Sequence, residues 1–66
     1  MDLEKYCGKK VRITTKKNKV VIGFASHYES PEDNDEDGPA LTLTHTGIGT
    51  YVEAREDEIK KIEVID

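Results

Sequence analysis

The chain has 66 residues, a formal net charge of −4, 36% charged residues and 35% hydrophobic residues. That size accommodates one domain with a small core, and such a core rarely supplies more than about 3–5 kcal/mol. No apolar run approaches the roughly 20 residues a membrane-spanning helix needs. Met1 and the four residues after it form no apolar leader, and the single cysteine, Cys7, excludes an internal disulfide and a cysteine-rich zinc site. A cytoplasmic domain with no membrane partner is expected.

Residues 2–7 predict one helical turn, with Asp2 as its cap and Leu3 and Tyr6 three apart on one face. Gly8 suits the left-handed residue that ends such a turn. Residues 11–15 (Val-Arg-Ile-Thr-Thr) alternate apolar with polar and are rich in β-branched side chains, so they predict a half-buried strand. Lys16-Lys17-Asn18-Lys19 is its turn, with Asn18 suited to positive φ. Residues 20–28 are the longest apolar stretch and predict a long strand, which Gly23 allows to bend. Residues 29–39, with two prolines, one glycine and six acids, predict a loop. Residues 40–46 alternate again, Gly47-Ile48-Gly49 reads as a turn, and residues 50–54 predict a fourth strand. A polar connection at Glu56-Asp57-Glu58 leads to a fifth strand at residues 59–65. The expected fold is mainly β: a short N-terminal helix and a five-stranded, strongly bent antiparallel barrel.

The net charge hides a separation along the chain. Lys9, Lys10, Arg12, Lys16, Lys17 and Lys19 follow one another with no anion between them. Glu29, Glu32, Asp33, Asp35, Glu36 and Asp37 follow one another with no cation. In an alternating strand Lys10, Arg12 and Thr14 share one face, with successive side chains about 7 Å apart. Such a row can meet successive phosphates, although the acidic total opposes it at long range. The same row also serves as a solvated face that keeps a strand edge from pairing, and the aromatics that single-strand binders interleave are missing from this stretch.

Asp33-Asn34-Asp35-Glu36-Asp37-Gly38 reproduces the first half of a calcium loop, with carboxylates at alternate positions before a glycine. Asp33, Asp35 and Asp37 are its candidate ligands. Thr44 stands where the loop's bidentate Glu belongs and Pro39 follows the glycine, so a flexible, like-charge loop is the default reading of these residues. His27 and His45 come near each other if the second and third strands pair, with Cys7 as a third candidate ligand. No nucleophile, base and acid share a spacing that carries catalysis. No enzyme and no cofactor are expected.

Gly8-Lys9-Lys10-Val11-Arg12-Ile13-Thr14, the turn at Lys16 to Lys19, the mid-strand Gly23 and the pair Tyr28-Glu29 follow the first Sm motif in order and spacing. Ala54-Arg55-Glu56-Asp57-Glu58-Ile59 falls where the second Sm motif leads into the last strand. The chain thus resembles an Sm-like (LSm) domain over nearly its whole length, and a group of small bacterial LSm-like proteins with an acidic insert. The resemblance implies one SH3-like barrel over residues 1–66, assembly into a homo-oligomer, and RNA binding. The candidate RNA-contacting residues are Lys10, Arg12, Lys16, Lys17 and Lys19 of the basic stretch, together with Arg55, which matches the Arg of the second Sm motif. Two departures bear on that role: Glu56 stands where the motif has Gly, and the Tyr-Lys-His-Ala signature of the Hfq-type members is missing. The expected function is a non-catalytic module that self-associates and binds RNA weakly through its basic first hairpin. The alternatives are a protein-interaction module that uses the acidic loop, and a cation-binding regulatory domain.

Overall fold

A computed structural model describes residues 1–32 and 38–65. Five strands form one sheet: β1 (Lys10–Thr15), β2 (Val20–Glu29), β3 (Ala40–Thr44), β4 (Val52–Arg55) and β5 (Ile59–Val64). Their spatial order is β4-β3-β2-β1-β5, and every neighbouring pair is antiparallel. The only helical pieces among the described residues are 3₁₀ turns at Leu3–Tyr6 and Glu56–Glu58.

The first helical piece differs from expectation. It is a four-residue 3₁₀ turn, and Asp2 makes no side-chain capping bond. So short a segment closes its backbone with tight bonds, such as Cys7 N–H to Glu4 O at 3.1 Å, before an α-helical ladder can start. Leu3 is nonetheless buried and Gly8 takes φ 85°, as expected of a stop. β3 ends at Thr44 rather than at residue 46, because His45 turns left-handed (φ 58°) and leaves the ladder. β4 begins at Val52 rather than at residue 50, and β2 takes in Glu29, which was expected in the loop.

The core follows from the alternation. Val11 and Ile13 of β1 point inward with Leu41 and Leu43 of β3, and Leu3, Ala25 and Ile59 complete a cluster whose members are all at most 4% exposed. Burial on β2 falls on the small parity, Gly23 and Ala25, and leaves Val20, Ile22 and Phe24 outside. Farther along, Tyr28 packs against the core opposite Leu41 although its even number places it with the outer set. The register explains this: Ala25 pairs with Leu43 and Tyr28 with Leu41, so three residues of β2 span two of β3. A bulge at Ser26 shifts the parity. Gly23 serves close approach, since a β-carbon there would stand 2.8 Å from Thr44 O.

The outer face carries one tight ion pair. Arg12 Nε donates to Glu63 Oε1 at 3.0 Å across the β1–β5 ladder, and Lys61 Nζ lies 3.7 Å from Glu63 Oε2. The hydrogen bond and charge of Arg12 hold the Glu63 carboxyl below its usual range and raise the guanidinium above its own. A carboxylate depressed on folding contributes stability above its unfolded pKa and loses it as pH falls through the folded value. The thermal midpoint should therefore drop below about pH 4.3, and Glu63→Gln should drop less over the same window. Thermal melts from pH 7 to pH 2 check this, and an unchanged acid limb in the variant would remove Glu63 as a contributor.

Candidate nucleic-acid interface

The lysine hairpin is built by its own backbone. Thr15 N–H donates to Lys19 O and Asn18 N–H to Thr15 O, both at 2.8 Å, and Asn18 adopts φ 65°. The Thr15 hydroxyl oxygen accepts from the N–H groups of Lys17 (3.3 Å) and Lys19 (3.1 Å). Two further contacts seat the turn on the rest of the sheet. Lys16 N–H donates to Glu58 O at 2.9 Å, and Lys60 Nζ donates to Asn18 Oδ1 at 3.2 Å. Side chains on an ordered turn have a defined direction, and those of Lys16, Lys17 and Lys19 are exposed.

The six expected contact residues divide into two groups. Lys10, Lys16, Lys17 and Lys19 are exposed and in no ion pair among the described residues. Arg12 is held by Glu63, and Arg55 Nε lies 3.3 Å from Glu58 Oε1 and 3.7 Å from Asp57 Oδ1. Both arginines thus meet carboxylates of their own chain before any phosphate. Beside the hairpin a cavity of about 430 Å³ opens over Ile13, Val21, Leu43 and Val52. Lys16, Lys17 and Lys19 stand on its rim together with Glu53, Asp57 and Glu58. These acids offset part of the lysine field at short range.

The antiparallel register also brings in a residue that the sequence pattern concealed. The β1–β2 ladder pairs Lys10 with Phe24, Arg12 with Ile22 and Thr14 with Val20, so the cationic row of β1 runs beside an apolar row of β2. Phe24 is 40% exposed. The aromatic group missing from the lysine stretch is thus supplied by the neighbouring strand. Counting outward from a turn at residues 16–19 would place residue 25 opposite residue 10. The register is one residue tighter, because Thr15 N–H bonds Lys19 O, and this sets Phe24 there instead. Lys10, Gly23, Phe24 and His45 line a shallow hollow on this face, and Thr44 Oγ1 lies 3.0 Å from His45 Nδ1 at its edge.

The opposite end of β2 is acidic. Tyr28 is pushed above the usual phenol range, first by burial and then by the carboxylates of Glu4, Asp2, Glu32 and Glu56. β2 therefore runs from a lysine turn to a cluster of carboxylates. His27 pairs with Thr42, whereas His45 lies beyond the Phe24–Thr44 pair, so the register sets the two histidines apart along the strands. No cluster of three potential metal ligands occurs among the described residues. Asp33, Asp35 and Asp37, the candidate cation ligands, lie outside the described residues, as does Asn34. No helix among the described residues is long and apolar enough to cross a membrane. Comparison of the chain with family models, with curated proteins and with solved structures finds no match.

Proposed function

We propose that this chain is a non-catalytic Sm-like module, its five strands curled into an SH3-like barrel, that self-associates and binds single-stranded RNA through its lysine hairpin. One observation carries the reading: Lys16, Lys17 and Lys19 project from an ordered turn, unpaired by any described carboxylate, on the same hairpin as exposed Lys10. Phosphate recognition needs cations held in a row, and it needs no cleft or catalytic group. The sheet order supports assembly, because β4 and β5 are its two edges and edge strands present backbone groups that a second copy can pair. Repeating one weak patch around an assembly multiplies its affinity.

The test is the salt dependence of binding to a short single-stranded RNA, with native mass spectrometry to read copy number and bound strands together. Affinity should fall with salt, with a log–log slope of about 0.7 for each phosphate neutralised. Replacing Lys16, Lys17 and Lys19 together with Ala should lower that slope by about 2. Absence of binding by the native chain at low ionic strength would remove the reading. The carboxylates around Tyr28 favour a second one, in which the acidic end docks a basic protein partner.

A further inference from the structure

We propose that Phe24 is a nucleobase-stacking subsite: one base of a single-stranded nucleic acid lies on its ring while the adjoining phosphate meets Lys10. The proposal rests on the RNA-binding reading and adds to it the group that touches a base.

Three observations converge on this spot. The first is register. Lys10 and Phe24 are direct cross-strand partners, which places their β-carbons about 4.5–5.5 Å apart. The pair puts a cationic and an aromatic side chain next to each other on one face of the sheet. The second is shape. Phe24 borders a hollow that Lys10, the Gly23 backbone and His45 also line. His45 reaches that position because its left-handed backbone (φ 58°) turns the chain out of β3, and its Nδ1 sits 3.0 Å from the Thr44 hydroxyl. An aromatic face, a cation and an imidazole around one open hollow match a flat base with a phosphate attached.

The third observation is continuity with the lysine turn. Lys10 opens β1 and Lys16 follows its end, about 20 Å away at the usual rise. A strand bound at Phe24 therefore has the hairpin lysines within a few nucleotides' reach.

A second copy of the chain is the competing occupant, since Val20, Ile22 and Phe24 form an exposed apolar row. Three partly exposed side chains offer far less than the roughly 800 Å² per partner that a stable protein interface buries. The flanking Lys10 adds a cation to the apolar row, which suits a base with its phosphate attached.

The experiment compares the native chain with Phe24→Ala and Phe24→Trp. Its ligands are a short single-stranded RNA, an abasic strand of the same length, and uridine and adenosine monophosphates. Phe24→Ala should lower affinity for the RNA about 5- to 150-fold, with no change in salt slope and no change for the abasic strand. The chain has no tryptophan, so Phe24→Trp carries the only indole, and its fluorescence should be quenched by the RNA and by the monophosphates but not by the abasic strand. Equal RNA affinity of Phe24→Ala and the native chain would overturn the subsite while leaving the hairpin reading intact. Absence of binding by any strand would overturn the hairpin reading and the subsite with it. Blue-shifted, concentration-dependent emission of Phe24→Trp without nucleotide would show the face covered by a second copy and would overturn the proposal.

Discussion

Leu41→Ala should abolish cooperative unfolding at 25 °C or bring its midpoint close to zero denaturant. Leu41 is fully buried, and on β3 it stands between Tyr28 on β2 and Ala54 on β4. Truncating a buried leucine costs about 2–5 kcal/mol, made up of lost transfer energy and the cavity left behind. A core in a domain of this size supplies about 3–5 kcal/mol in all, so one substitution consumes most of it. Collapse around the gap is restricted, because Leu41 lies on a central strand whose neighbours are held on both sides. Urea titration followed by circular dichroism reads the effect. Val64→Ala is the control: Val64 is 46% exposed at the end of an edge strand, and surface truncations stay within about 0.5 kcal/mol. If the two variants unfolded alike, the buried cluster would not be the source of stability.

Gly23→Ala should destabilise the protein by about 1–3 kcal/mol although it adds a single methyl group. The added carbon would stand 2.7 Å from Thr46 Cγ2, 2.8 Å from Thr44 O and 3.3 Å from Leu43 Cβ. The threonine methyl can rotate away. The Thr44 carbonyl cannot, because it belongs to the backbone of the strand that pairs with β2. The strands must then separate at the Phe24–Thr44 pair, which also loosens the hollow against which Phe24 and His45 are set. The double variant Gly23→Ala, Thr46→Ser distinguishes the two contacts. If the backbone contact dominates, removing the methyl restores only a small part of the loss. Full rescue would transfer the effect to the Thr46 side chain. Thermal melts of the four proteins in this cycle give the coupling directly.

Much of the architecture was legible from local rules, and the misses have local causes too. The β-branched alternation of Val11, Ile13 and Thr15 marked β1, and Asn18 and Gly8 took the positive φ their residue types tolerate. The end of β3 was misplaced because His45-Thr46 continues the alternating pattern in letters, while the backbone turns left-handed at His45. The start of β4 was misplaced because Thr50 and Tyr51 suit a strand by type yet have no cross-strand partners. Neither error could be seen from propensity alone, since pairing requires a neighbour at the right distance.

The candidate site shows the same division. Exposure of Lys16, Lys17 and Lys19 was readable from composition, because a run of lysines at a turn has no reason to be buried. Engagement of Arg12 with Glu63 was not readable, since the two are 51 positions apart and meet only across the β1–β5 ladder. The exposure of Phe24 was not readable, since Val-Val-Ile-Gly-Phe-Ala is apolar on both parities. The structure buries Gly23 and Ala25, with Leu43 and Thr44 too close to Gly23 for a side chain there, and leaves Phe24 outside.

By itself, the order of residues determined where this chain extends, where it turns and where its cations and anions gather. Those properties depend on a few neighbouring residues and on the steric limits of each backbone. Only the tertiary structure decided which parity of β2 is buried, which arginines are already occupied and which aromatic stands beside Lys10. Each of those outcomes depends on register between strands, and a shift of one residue at a bulge such as Ser26 exchanges the inner face for the outer one.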